Sequence, residues 1–177
     1  MGPGMEAPVI MEWKRPASFR MEFTVQGMTG VQAYDGALGW QVMPFMGKPD
    51  AEKMSAEDLS HVEEQADLIE GELIDWKGKG HQVELLGKES LEGTDAFKLK
   101  VTRKNGDIKF IWIDAEAWLE IKGSSKRTMR GQEMELETST GDYKDVSGLL
   151  MPHSFEVTAV GQPVGQTLTF EKIELNV

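Results

Sequence analysis

Few side chains in this sequence stand at spacings that could do chemistry. His61 and Glu64 lie three apart, as ligands on one helix face do, and nearby acids could add oxygen donors for a metal. A solvated acidic helix face accounts for the same residues. Ser124-Ser125-Lys126 places hydroxyls beside an ammonium, the ingredients of a Ser/Lys nucleophile. Adjacent strand residues point to opposite faces, however, and no third group orients them. His81 and His153 fall near expected strand starts without a companion motif and read as edge or surface residues. Gly78-Lys79-Gly80 does not lead from a strand into a helix, so it lacks the helix N-terminus that cradles a phosphate. These absences point to a binding protein rather than an enzyme, with no metal and no cofactor.

Composition narrows the partners. The chain has 177 residues, with 30 acidic against 19 basic side chains and a net charge of −11, which repels nucleic acid and anionic lipid surfaces. Without cysteine there is no disulfide framework, thiol nucleophile or thiolate zinc site. The 40% apolar content suits a folded domain, and no apolar run approaches the roughly 18 residues of a membrane-spanning helix. The first residues also lack the basic-then-apolar pattern of a signal peptide. Eleven methionines suggest an adaptable apolar interior.

The elements that would position such an interior are mostly strands. Phe19, Met21, Phe23 and Val25 alternate with polar residues, the period of a strand with one dry face. Val9, Met11 and Trp13 alternate in the same way, and the Arg15-to-Ser18 stretch turns one run into the other. Asp35-Gly36 joins Val31–Tyr34 to Trp40–Met43, and Asn105-Gly106 joins Phe97–Thr102 to Ile108–Ile113. Further alternating runs at 81–87, 117–122, 133–138, 149–157 and 167–175 bring the expectation to about ten strands. They imply a mainly β (α+β) domain, a curved antiparallel sheet forming an incomplete barrel. One helix interrupts them. Ser55 begins it with a capping-box pattern, Leu59, Val62, Ala66 and Ile69 form its apolar stripe, and Gly71 stops it. Its natural place is over the concave side, as a lid.

On that side the alternation places Trp13, Phe19, Met21, Phe23 and Val25 from the first strands. Trp40, Val42, Phe97, Leu99, Phe110 and Trp112 come from the later ones. The set is either a filled core or the wall of a hydrophobic groove for an apolar ligand such as an acyl chain.

Two stretches carry a family resemblance. The first is Lys14-Arg15-Pro16 with Phe19-Arg20, followed by Val31-Gln32-Ala33-Tyr34-Asp35-Gly36, Trp40 and Pro44-Phe45. The second is Gly141-Asp142-Tyr143-Lys144, Val146, Gly148-Leu149-Leu150 and Pro152-His153-Ser154. Together they resemble LolA-like outer-membrane lipoprotein-sorting proteins over roughly residues 5 to 177. The resemblance implies a single domain over 1–177 and a hydrophobic half-barrel closed by helices. It implies a non-enzymatic carrier of lipoprotein acyl chains, fatty acid or phospholipid through the periplasm to the outer membrane. An inner-membrane release complex and an outer-membrane receptor would be its partners. Arg15 stands where the family's arginine anchors the lid. Against the family pattern the chain starts almost directly at the Val9 strand, so the family's signal peptide, N-terminal helix and first strand are expected to be missing. Apolar sheet uncovered in this way would favour a homodimer. The rival expectations are a lipoprotein- or peptide-sensing domain of an envelope-stress regulator, and a hydrolase using His61 or His153 as base, for which no nucleophile is evident.

Overall fold

Tight hairpins need two successive residues at positive φ to match the twist of antiparallel strands. Gln26-Gly27, at φ 52° and 79°, and Ser147-Gly148, at 54° and 88°, supply them. Around such turns the computed structural model, which describes residues 7–129, 132–162 and 165–176, builds twelve strands and one α-helix. The chain divides into two compact units, one up to Ile74 and the other from Asp75.

The first unit is a five-stranded antiparallel meander of β1 (Val9–Lys14), β2 (Ser18–Val25), β3 (Met28–Tyr34), β4 (Gly39–Met43) and β5 (Lys48–Lys53). β5 was not expected, because Lys48-Pro49-Asp50-Ala51-Glu52-Lys53 has no apolar alternation and all six residues are exposed. Charge and proline suit it to the sheet edge, where they discourage pairing with another chain. Helix α1 (Ala56–Ala66) follows. Ser55 caps it as expected, its hydroxyl oxygen accepting from the Asp58 N–H at 3.1 Å, with Glu57 and Asp58 at the positive end of the helix dipole.

α1 lies on the sheet face that carries Trp13, Phe19 and Met21. Phe19, Met54 and Val62 form the buried centre, and Met11, Trp13, Met21, Tyr34, Leu59 and Ala66 pack around it. Gly39 leaves the room this needs, since a Cβ there would fall 2.5 Å from the Met54 sulfur and 3.0 Å from Leu59. The helix ends at Ala66, short of the expected Gly71, so Ile69 lies beyond it in a run of turns. Extending the helix would have placed Asp67 and Glu70 at its negative end, and its last turn carries no basic residue.

The second unit is a seven-stranded antiparallel sheet. Its strands are β6 (Gln82–Leu91), β7 (Thr94–Thr102), β8 (Ile108–Asp114), β9 (Glu120–Met129), β10 (Gln132–Val146), β11 (Leu149–Ala159) and β12 (Gln166–Thr169). They run in the order β12-β11-β10-β9-β8-β7-β6. Ala96, Val101, Ile111, Met151 and Phe155 are buried. The Tyr143 hydroxyl on β10 donates to the Glu120 carbonyl at 2.7 Å and ties β10 to the start of β9. The fold is mainly β, as expected, but the strands form two sheets instead of one, because the chain between Lys53 and Gln82 forms the helix and turns and contributes no strand. Neither sheet closes on itself. β1 and β5 are the edges of the first, β12 and β6 of the second. Among the described residues no helix is long and apolar enough to cross a membrane.

Two outcomes follow. Phe19, 2% exposed at the helix–sheet seam, is expected to lose about 3–5 kcal/mol on replacement by alanine, read as a lower urea midpoint with an unchanged slope. Burial first and the Glu120 charge second push the Tyr143 hydroxyl up to about 12. The unfolded chain therefore releases this proton first, near the ordinary tyrosine value of about 10. Stability from Tyr143 is complete below that pH and is lost as pH rises towards about 12. Melting curves across this window should show Tyr143→Phe losing less stability with rising pH than the parent.

Candidate functional site

Residues directly opposite each other in an antiparallel ladder share a face, so register shows where each expected groove residue points. Val9 pairs with Phe23, Met11 with Met21 and Trp13 with Phe19. Trp13, Phe19, Met21, Phe23 and Val25 therefore do share one face. It is largely filled. Val62 and Met54 close over Phe19, and Phe45 packs against Phe23 with ring centroids 5.6 Å apart. Trp40 and Val42 do not belong to this set. They pair with Ala33 and Val31, residues of the reverse face, and Trp40 is 46% exposed.

α1 is held at its margins by polar contacts. The Trp13 indole donates to the Gln65 carbonyl at 2.8 Å, which also accepts from the Leu68 N–H at 3.2 Å just past the helix end. The Tyr34 hydroxyl donates to Glu63 at 3.3 Å, and partial burial, then the Glu63 charge, raise its pKa. The Gln41 amide donates to Asp58 at 3.4 Å. Arg15, expected as a lid anchor, pairs through Nε with the Glu70 carboxylate at 2.6 Å, one turn past the helix.

The second sheet also divides the expected set. Phe97 pairs with Ile113 and Leu99 with Ile111, whereas Phe110 pairs with Lys100 and Trp112 with Lys98. Phe97 and Leu99 thus share one face, and Phe110 and Trp112 occupy the other. The run from Ile108 to Ile113 is apolar in both phases, so alternation alone could not choose between them. On the reverse face, the buried Trp112 ring has the Lys98 ammonium 4.7 Å and the Lys122 ammonium 5.5 Å from its centroid. Its N–H donates to Glu89 at 2.5 Å. That hydrogen bond first, with Lys98 and Lys122, holds the Glu89 carboxyl below its usual range. This is a satisfied polar network and not a groove.

The opposite face holds an apolar pocket of about 320 Å3, open to solvent and lined by Leu85, Phe97, Leu99, Ile113 and Trp118. Phe97 and Leu99 were expected. Leu85 and Ile113 follow from the same alternation once its phase is known. Trp118 falls in the 117–122 run expected as a strand, but β9 begins only at Glu120, so Trp118 lies in the β8–β9 turn, where its indole stacks on Phe97 at 5.4 Å and 22°.

The residues considered for catalysis are engaged elsewhere. Ser124 donates to Glu135 at 2.9 Å, and Lys126 pairs with Glu133 at 2.7 Å. His81 Nδ1 accepts from the Lys104 N–H at 3.2 Å, and the buried His153 has Nδ1 3.0 Å from the Met151 carbonyl oxygen. Gly78 to Gly80 belong to a turn closed by the Lys79 N–H on the Asp75 carbonyl. Among the described residues no group of three or more acidic, histidine or cysteine side chains could hold a metal ion.

No family model matches the chain, and no curated protein matches it in sequence. Solved structures do. A LolA superfamily protein from Nitrosomonas europaea superposes with a TM-score of 0.62 at 11% identity, over 98% of this chain and 83% of that one. A domain named for outer membrane lipoprotein sorting, from Vibrio parahaemolyticus, gives 0.60 at 13% identity, over 94% and 75%. A DUF1329 family protein from Desulfovibrio piger gives 0.57 at 14% identity, over 85% and 69%. The chain has a LolA-like fold.

Arg15 is 82% exposed, so its ion pair is largely screened. Arg15→Leu should change unfolding stability by less than about 1 kcal/mol, as measured by urea titration at low and high salt.

Proposed function

From the premise of a LolA-like fold, we propose that this protein binds lipid acyl chains without catalysis, as a periplasmic carrier of lipoproteins towards the outer membrane. The observation that carries this reading is the open, wholly apolar pocket of the second sheet. Burying hydrocarbon there gives about 0.8 kcal/mol per methylene without any polar recognition, which suits cargo defined by its tails. Release then requires a change in the apolar surface offered.

In this reading α1 is the movable part. It covers Trp13, Phe19 and Met21 in the first unit, and its Arg15–Glu70, Trp13–Gln65 and Tyr34–Glu63 contacts act as latches. Leu59, Val62 and Ala66 lie on the lid, while Ile69 falls in the turns behind it. Displacing α1 exposes a second apolar face for further chains, and two such states need differ by only a few kcal/mol. The inner-membrane release complex and outer-membrane receptor belong to the same proposal. So does self-association through a free strand edge such as β6, where Leu85 and Leu86 are 61% and 46% exposed.

An uncharged environment-sensitive dye tests the reading. It should brighten saturably with the protein and be displaced by a triacylated lipopeptide. Leu85→Glu, which puts a charge at the pocket mouth on an already exposed side chain, should abolish most of the signal without unfolding the chain. A folded parent protein that neither brightens the dye nor binds the lipopeptide would refute the carrier reading.

A further inference from the structure

Trp118 occupies a costly backbone position for little visible return. Its φ of 60° lies in the left-handed region, which a bulky side chain avoids. The other described non-glycine residues at positive φ are Gln26, Asp75, Glu92, Asp142, Ser147 and Asn176, all polar and all short of an aromatic ring. Strain of this kind is commonly offset by burial, yet Trp118 is 69% exposed. The turn nevertheless defines its place closely. Asp114 Oδ1 accepts from the Glu116 and Ala117 N–H groups at 2.7 and 2.8 Å, the Trp118 N–H donates to the Asp114 carbonyl at 3.0 Å, and the Asp114 N–H to the Leu119 carbonyl at 2.9 Å. The Ala115 N–H fastens this turn to β7 through the Asp95 carbonyl at 2.9 Å. The result is an indole held flat against Phe97, forming one wall of the pocket. Strained residues held by an over-determined turn cluster at ligand clamps.

We propose that Trp118 is the specificity-determining clamp of the acyl site, an aromatic roof under which a single linear alkyl chain lies against Phe97 and Leu99. The inference rests on the acyl-binding reading above and adds which residue selects the ligand and how many chains enter. A volume of about 320 Å3 stands at the lower end of the roughly 300–1,000 Å3 of small-molecule pockets, room for one narrow chain, so the further tails of a lipoprotein anchor would need the face under α1. Every lining side chain is apolar, so the headgroup stays outside. Beside the site, Lys88, directly across the ladder from Phe97, is neutralised by pairing with Asp95 at 2.7 Å. An uncharged chain under a neutral or zwitterionic headgroup fits that rim. Asp114 is a positioning residue, acting through the turn and not on the ligand.

The experiment uses the full chain and a lysophosphatidylcholine whose single acyl chain carries bromine, below the concentration at which it forms micelles. Calorimetry should give one chain per protein. Bromine should quench part of the tryptophan emission, and Trp118→Phe should bind the lipid while losing that quenching. Trp118→Gly removes the roof and relieves the backbone, so it should bind about tenfold more weakly yet melt no lower than the parent. Wild-type affinity in Trp118→Gly, two or more chains bound, or a lower melting temperature marking the indole as structural, would each overturn the clamp while leaving the carrier reading intact. Failure of the parent to bind the lipid at all would overturn the clamp, and the carrier reading falls with it only if the triacylated lipopeptide and the dye also fail to bind.

Discussion

In an antiparallel sheet each side chain has two faces open to it, and hydrogen-bond register decides between them for a whole strand at once. Both units of this protein depend on that constraint. In the first, pairing Trp13 with Phe19 and Met11 with Met21 gathers one dry face broad enough to seat α1. In the second, pairing Leu99 with Ile111 and Lys98 with Trp112 separates the face of Phe97, Leu99, Ile111 and Ile113 from that of Lys98, Lys100, Phe110 and Trp112. A slip of one residue would put Lys98 and Lys100 at the apolar pocket and leave Phe97 and Leu99 among the carboxylates. The bulge between Leu85 and Gly87 shifts the β6 register at this same point, and such irregularities are frequent near functional sites.

The helix depends on the sheet more than on itself. Eleven residues are too few for a stable isolated helix in water, and the acidic residues along α1 repel one another. What holds it is the insertion of Val62 over Phe19 and Met54, supported by cap and margin hydrogen bonds that are individually modest. An element whose stability is almost wholly tertiary is also one that can leave its seat as a unit. This gives the lid reading a physical basis in the first sheet.

The two sheets spend their apolar surface differently. The first buries its dry face under its own helix, whereas the second leaves Leu85 and Trp118 well exposed around a pocket without polar lining. The reverse face of the second sheet is closed to this use, since Trp112 is already enclosed by Lys98, Lys122 and Glu89. An apolar pocket confined to one face, next to the Lys88–Asp95 pair, matches the hydrocarbon cargo of the proposed function better than a charged ligand.

The class of fold, the first hairpins and the cap at Ser55 were legible in the sequence, because alternation, capping and turn chemistry act between neighbours. The resemblance to LolA-like proteins was legible too, and the structural likeness agrees with it. Strand β5 escaped notice because an edge strand needs no apolar residues. The phase of β8 could not be read because both of its faces are apolar, and Trp118 was misplaced because the 117–122 run alternates like a strand although its first residues close the β8–β9 turn. By itself the sequence determined most of the segments that become strands, and the helix with its cap. Only the tertiary structure decided which face each strand turns inward, that the strands part into two sheets, and that Trp118 comes to rest on Phe97, because these outcomes depend on partners distant along the chain.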